Sequence, residues 1–250
     1  MLLVKVHGID IPLINIGTSP FIGAGQFGFK GLRWRRRFLH DPEAMAELLK
    51  IGYKCGAVGV HVIPEGSIER AVRMVQREYP DFKVIGSLPP ANVTEGLDVL
   101  VSLGAQIIFL HGEVGDARDE AVIRSLMNQI KDRGCKPGVA THTTPVKTVK
   151  FLVERRIDAP ILLPFNKMGY SMEDKESLER LVDSQPIECV GMKVLAAGRL
   201  KPKEAFQYIS HHRLKAVIIG AVQKDEIREA THYALQYLTH SRQEIQRKKR

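Results

Sequence analysis

Residues 106–142 read QIIFLHGEVGDARDEAVIRSLMNQIKDRGCKPGVATH, and this stretch decides the fold. It opens on an apolar run, Gln106–His111, without polar alternation. An amphipathic segment follows, Asp119–Arg133, with Val122, Leu126 and Ile130 on one helical face. Gly134 supplies a stop, and a second apolar run, Pro137–His142, begins. Short Val/Ile/Leu-rich runs of this kind are strands covered on both faces, and a helix between two of them makes a parallel unit. Working outward, the same unit recurs along the chain. The further strand candidates are Leu13–Thr18, Ala57–Ile63, Lys83–Leu88, Ile161–Phe165, Glu188–Leu195 and Ala216–Ala221. Helical patterns fall at Glu43–Ile51, Ser67–Tyr79, Lys203–Ile209 and Asp225–Leu238. Asp41-Pro42 and Thr144-Pro145 have the form of an N-cap followed by proline at the first helical position, and Gly52, Gly104 and Gly134 stand where helices should stop.

Eight such units in 250 residues predict an α/β fold, a (β/α)8 TIM barrel in a single domain over residues 1–240, with a basic C-terminal tail at 241–250. The stretch Phe21–His40 is expected to be an irregular loop. With 44% apolar residues the chain can fill a core, and it has no run of 18 apolar residues for a membrane span. The opening MLLVKVHGID lacks a signal-peptide pattern. Cys55, Cys135 and Cys189 have no metal-ligand spacing and are expected to be small buried apolar residues, which suits a cytoplasmic protein. The net charge of +9 is local: Lys30–Arg37 holds five positive charges and Arg242–Arg250 a net four. Trp34, among those arginines, could stack on a base or close a pocket.

In a barrel of this kind, the active site lies where the strands end. The polar residues there are the candidates. His61, His111 and His142 end the second, fourth and fifth strands, with Glu113 beside them. Imidazoles and a carboxylate can carry acid–base chemistry or hold a divalent metal. Lys193, inside an apolar run, must be paired or have a lowered pKa, and a lowered pKa makes it a Schiff-base nucleophile. Gly17 and Thr18 end the first strand. Gly198, Arg199, Gly220 and Lys224 follow the last two, where barrels often bind phosphate. Gly23-x-Gly25-x-x-Gly28 matches a dinucleotide fingerprint in spacing only, since no helical pattern starts there.

Several segments together resemble the aldo/keto reductase superfamily. They are Ile16-Gly17-Thr18-Ser19-Pro20 with Gly23 and Gly25, Gly66-Ser67-Ile68-Glu69, Ile108-Phe109-Leu110-His111, Gly138-Val139-Ala140-Thr141, and Val217-Ile218-Ile219-Gly220 with Glu226-Ile227. The resemblance implies a TIM barrel, NADP(H), and an Asp, Tyr, Lys and His tetrad. Only the histidine carries over, onto His111. The lysine position falls on Ser87, and the aspartate and tyrosine positions fall in His61–Glu65, which contains neither. The arginine expected at the ribose phosphate is Glu226, and the asparagine after it is Ala230.

The expectation is an enzyme acting on a small anionic carbonyl compound, with His111 as acid–base group, His61 and His142 orienting or sharing the proton, and Lys193 on the carbonyl or an anion. Hydride transfer from NADP(H) is one version. A second reading is a metal-dependent or Schiff-base lyase, isomerase or hydrolase on a phosphorylated small molecule. A third is a non-catalytic anion or nucleic-acid binder working through Lys30–Arg37 and the tail, ranked lowest because a barrel is a costly scaffold for charge display.

Overall fold

The computed structural model describes residues 2–89 and 91–247, and only the backbone from 240 onward, so the side chains of the basic tail Arg242–Arg250 lie outside the described residues. Two short strands, β1 (Leu3–Val6) and β2 (Ile9–Pro12), form an antiparallel hairpin before the barrel begins. Its turn, His7-Gly8, has φ of 46° and 82°, the left-handed geometry that a two-residue hairpin turn requires. The hairpin packs against the start of the barrel, where a Cβ on Gly59 would lie 2.5 Å from the Pro12 ring.

Eight parallel strands then close into a ring. They are β3 (Ile14–Gly17), β4 (Gly59–Val62), β5 (Lys83–Leu88), β6 (Ala105–Leu110), β7 (Lys136–Ala140), β8 (Ile161–Pro164), β9 (Cys189–Met192) and β10 (Ala216–Ile219). Closure is direct: β10 pairs with β9 on one side and β3 on the other. The strands are buried along most of their length because helices cover them outside and side chains fill them inside. Ile16, for example, points outward onto Gly52 in the next helix, where a Cβ would sit 2.8 Å from Ile16 Cγ1. Alternation along β3 then turns Asn15 and Gly17 inward.

The helices are α1 (Gly28–Phe38), α2 (Pro42–Lys54), α3 (Ile68–Glu78), α4 (Val93–Ser102), α5 (Gly112–Ala117), α6 (Glu120–Asp132), α7 (Pro145–Glu154), α8 (Lys175–Ser184), α9 (Pro202–Ile209) and α10 (Lys224–Arg247). Asp41 caps α2 as its sequence predicts, accepting from Ala44 N at 2.9 Å with Pro42 behind it. Gly104 and Gly134 follow helix ends with positive φ, as expected.

Several expectations are corrected. Phe21–His40 is not an irregular loop: a 3-10 turn at Gly25–Phe27 leads into α1, whose inner face is Gly31, Trp34 and Phe38. The last helix runs to Arg247, so residues 241–247 continue α10 and are no separate tail. Gly52 does not end α2; it lets Ile16 pack closely within it. Thr144 makes no side-chain cap to α7, because its hydroxyl is used elsewhere. Lys193 lies just beyond β9, with φ of 53°. Cys189 is buried, whereas Cys55 and Cys135 are half-buried. Among the described residues, no helix is long and apolar enough to cross a membrane.

Candidate active site

A cavity of about 320 Å³ opens at the C-terminal ends of the barrel strands. His61, His111, Glu113, His142 and Lys193 all line it, so residues scattered over more than half the chain share one space. Its apolar wall includes Ile22, Phe27, Ile63, Leu162, Met192 and Ile218.

Each polar group is set by local structure. His61 lies within β4, level with Gly17 of β3, and its Nε2 is 2.8 Å from Ser87 Oγ on β5. His111 ends β6 and caps α5, where its Nδ1 accepts from Glu113 N at 3.4 Å. That long bond places the proton of the neutral ring on Nε2. His142 follows β7 and meets His111 edge to face, with ring centroids 4.7 Å apart. Gly112 makes this possible, since a Cβ there would lie 2.4 Å from His142 Cγ.

Burial favours the neutral form of all three imidazoles. The His61 ring is fully enclosed and is pushed down to about 3, with His142 and His111 adding to the effect. His142 is pushed down to about 4 by burial, then by His111 and Lys193, against the pull of Asp116. His111 is lowered by burial, with Glu113 and Asp116 opposing. Neutral rings can accept and pass on protons.

Lys193 donates to the His142 carbonyl at 3.1 Å. Among the described residues no carboxylate lies within ion-pair distance of it; Asp116 acts on it only through the longer-range field. Burial therefore dominates and brings the ammonium down to about 8. Among the described residues Lys193 forms no ion pair with Glu113 or Glu188. Glu188 pairs with Lys215 and accepts from His7 N at the other end of the barrel.

Asp116 was not among the sequence candidates, and it organises the site. Its carboxylate accepts seven hydrogen bonds: from the Thr141, Thr143, Thr144 and Thr148 hydroxyls and from the backbone N–H of His142, Thr143 and Thr144. Burial works against its charge, but the bonds from Thr141, His142 and Thr143 outweigh burial and hold the carboxyl at about 2. Asp116 thus fixes the loop that presents His142 to the cavity and the His142 carbonyl to Lys193. Gly115 lets α5 lie against β7, for a Cβ there would sit 1.9 Å from Ala140 O. The two glycines and the aspartate of His111-Gly-Glu-Val-Gly-Asp116 were the available signal.

Glu65 also lines the cavity and pairs with Arg35, which donates to the Ile22 carbonyl at 2.9 Å. The inner face of α1 is thereby tied over the mouth. Trp34 packs edge-on against Phe27 of the cavity wall, with ring centroids 5.0 Å apart. Lys30, Arg33, Arg36 and Arg37 stay on the exposed face.

The remaining candidates are placed as follows. Gly198 and Gly220 line the cavity. Arg199 does not: its guanidinium donates to the Ala196 carbonyl and lies 4.5 Å over the Tyr170 ring. Lys224 pairs with Glu47. The N–H groups of Gly198, Arg199 and Leu200 donate to the Leu195 and Ala196 carbonyls, so the expected phosphate cradle has spent its amides. Gly17 lies against Ile218 under the cavity, and Thr18 Oγ1 accepts from Ile63 N at 3.0 Å.

The groups implied by the resemblance can be tested on these residues. Glu226 Oε2 accepts from Val222 N at 3.1 Å and Gln223 N at 3.2 Å. A carboxylate therefore occupies the amides at the start of α10, where a cofactor phosphate would be received, and would repel it. With Ser87 at the lysine position and no tyrosine in His61–Glu65, the residues do not fit NADP(H). Among the described residues no group of three or more His, Cys, Asp or Glu side chains is placed to hold a metal ion, so the donor set does not fit a divalent cation either.

No protein-family model and no curated protein sequence matches the chain. Solved structures do. A Pseudomonas aeruginosa protein provisionally named an aldo-keto reductase superposes with a TM-score of 0.69 at 17% identity, covering 94% of each chain. A variant of Gox0644 in complex with NADPH gives 0.65 at 12% identity, covering 96% of this chain and 93% of that one. Phosphoribosyl anthranilate isomerase from Thermotoga maritima gives 0.57 at 16% identity, covering 90% and 100%. At such identities the likeness is one of fold. The chain has the barrel seen in aldo-keto reductase-like structures.

Proposed function

We propose that the protein is an enzyme acting on a small anionic carbonyl compound, by proton transfer rather than by hydride transfer. The observation that carries this reading is the convergence of three neutral imidazoles and a buried lysine on one cavity. Lys193 is the one lysine or arginine among the described residues that line the cavity, and it draws the carbonyl oxygen or an adjoining carboxylate toward β9. His111 and His142, in edge contact, accept a proton from the carbon beside the carbonyl and return it elsewhere on the substrate. His61 and Ser87 form the polar floor beneath them. General acid–base assistance of this type is worth about 10²–10⁴ in rate. No phosphate subsite belongs to the reading, because Arg199, Lys224 and the Gly198 amide are engaged elsewhere.

The test is proton exchange. Incubation with pyruvate, oxaloacetate or dihydroxyacetone phosphate in deuterium oxide should show enzyme-dependent deuterium uptake next to the carbonyl. His111→Ala should reduce it at least 100-fold. Uptake no faster than buffer for the whole panel, or unchanged in His111→Ala, contradicts the reading.

A further inference from the structure

We propose that Lys193 reacts covalently, forming an imine with the carbonyl carbon of the substrate. This rests on the reading above and specifies how the carbonyl is activated. Three geometric facts lead to it. First, the side chain lines the cavity, yet its nitrogen is tied to the protein by a single bond, to the His142 carbonyl at 3.1 Å. A lysine meant only to carry charge in a largely enclosed place would be expected to hold a carboxylate. Asp116, whose field reaches Lys193, is saturated by the 141–148 segment, and among the described residues neither Glu65, which is paired with Arg35, nor Glu113, which lines the same cavity, forms an ion pair with it.

Second, Lys193 is fixed in position by strain and packing. It occupies the left-handed region at φ 53°, which a non-glycine residue adopts at a cost of about 1 kcal/mol. Its neighbours Met192 and Val194 are packed, and the Lys193 carbonyl accepts from Ala196 N at 2.8 Å in the turn that follows. That turn aims the side chain into the mouth instead of along the barrel surface.

Third, rings that can carry protons line the same cavity as Lys193. His142 and His111 are in edge contact, and the His142 carbonyl holds the Lys193 nitrogen. Imine formation needs such a carrier. The Nζ lone pair adds to the carbonyl carbon, and the C=O π pair moves to oxygen. A ring takes a proton from the nitrogen and delivers it to that oxygen, giving a carbinolamine. A second proton follows the same route as the hydroxyl departs as water and nitrogen forms its double bond to carbon. Overall, the free amine and the carbonyl become an imine and one water, whose two hydrogens come from the lysine nitrogen. No oxidant or other reactant is consumed. The lowered affinity of this amine for its proton supports the same assignment, since it leaves free amine available near neutral pH.

The experiment uses the whole protein with pyruvate, glyoxylate or dihydroxyacetone phosphate and sodium cyanoborohydride at pH 7.5, read by intact mass and peptide mapping. One adduct per chain on the peptide containing Lys193, absent in Lys193→Arg, is expected. In parallel, trace acetylation of the wild-type protein across pH measures each lysine's nucleophilicity without a substrate or a variant. Lys193 should reach half-maximal reactivity near pH 8, and a midpoint above pH 10 would overturn the assignment. Adducts spread over surface lysines, or none while these compounds still drive deuterium uptake, overturn the imine and leave the proton-transfer reading intact. Absence of both adduct and uptake overturns the two together.

Discussion

Replacing Asp116 with asparagine keeps the shape of the side chain and removes its charge, and its effect can be worked from the structure. In the folded chain the carboxyl is held at about 2 against an ordinary value of 3.8. That difference corresponds to about 2 kcal/mol of folding free energy. Because the folded value lies below the unfolded one, this stability is fully present above about pH 4 and disappears as pH falls through about 2. Asparagine can still accept from the His142 and Thr143 amides through its one oxygen, while its NH2 group turns to the threonine hydroxyls, which can rotate to accept. The charge-assisted part is what is lost. Asp116→Asn should therefore be less stable than the parent by about 2 kcal/mol at pH 7, a fall in Tm of roughly 4–8 °C for a chain of this size. The gap should narrow steadily below pH 4. Urea unfolding of both proteins at several pH values between 2.5 and 7 measures it. A difference below about 0.5 kcal/mol at pH 7, or one independent of pH, would refute the view that Asp116 anchors the 141–148 segment through its charge.

Other outcomes follow from the same geometry. Lys193→Met should stabilise the protein at pH 7 by up to about 3 kcal/mol, because the parent ammonium is held at about 8 instead of 10.5. That cost is present below pH 8 and vanishes above 10.5, so the two unfolding curves should converge as the solution is made alkaline. Gly115→Ala forces a methyl within 1.9 Å of the Ala140 carbonyl and should cost about 3 kcal/mol or more in chemical denaturation, since backbone must move. Gly112→Ala, pressing on the His142 ring, should cost about 1–3 kcal/mol and displace that ring's NMR signals. NADPH fluorescence should be unaffected by the protein at millimolar cofactor; saturable enhancement would show that the Glu226 contacts do not block a phosphate.

The barrel is legible in the sequence because strands buried on both faces leave a mark that survives without an alignment: Gln106–His111 and Ala216–Ala221 can be little else. The meeting of His61, His111 and His142 follows from barrel geometry, since strand ends converge by construction. What stayed hidden has definite causes. Helix α1 buries only Gly31, Trp34 and Phe38, so with two glycines and five cations it shows no apolar period. The hairpin β1–β2 is marked by His7-Gly8 alone, because Leu3–Val6 and Ile9–Pro12 are four-residue runs too short to carry a strand pattern. Asp116 acts on residues about 25 positions further on, and only a closed fold brings them together. Arg199 and Lys224 were assigned to an anion by position alone, but Tyr170 and Glu47 are nearer partners for them.

The central claim is that neutral imidazoles and a buried lysine share one carbonyl-binding cavity. Nitrogen-15 NMR of the histidine rings during titration with pyruvate and glyoxylate tests it most directly. His61 and His142 should show neutral-ring signals at pH 6, and His61, His111 and His142 should shift together on saturation, while His211 and His232 do not respond. Ordinary protonation of all three rings near pH 6.5, with no response to any carbonyl compound, would contradict the account.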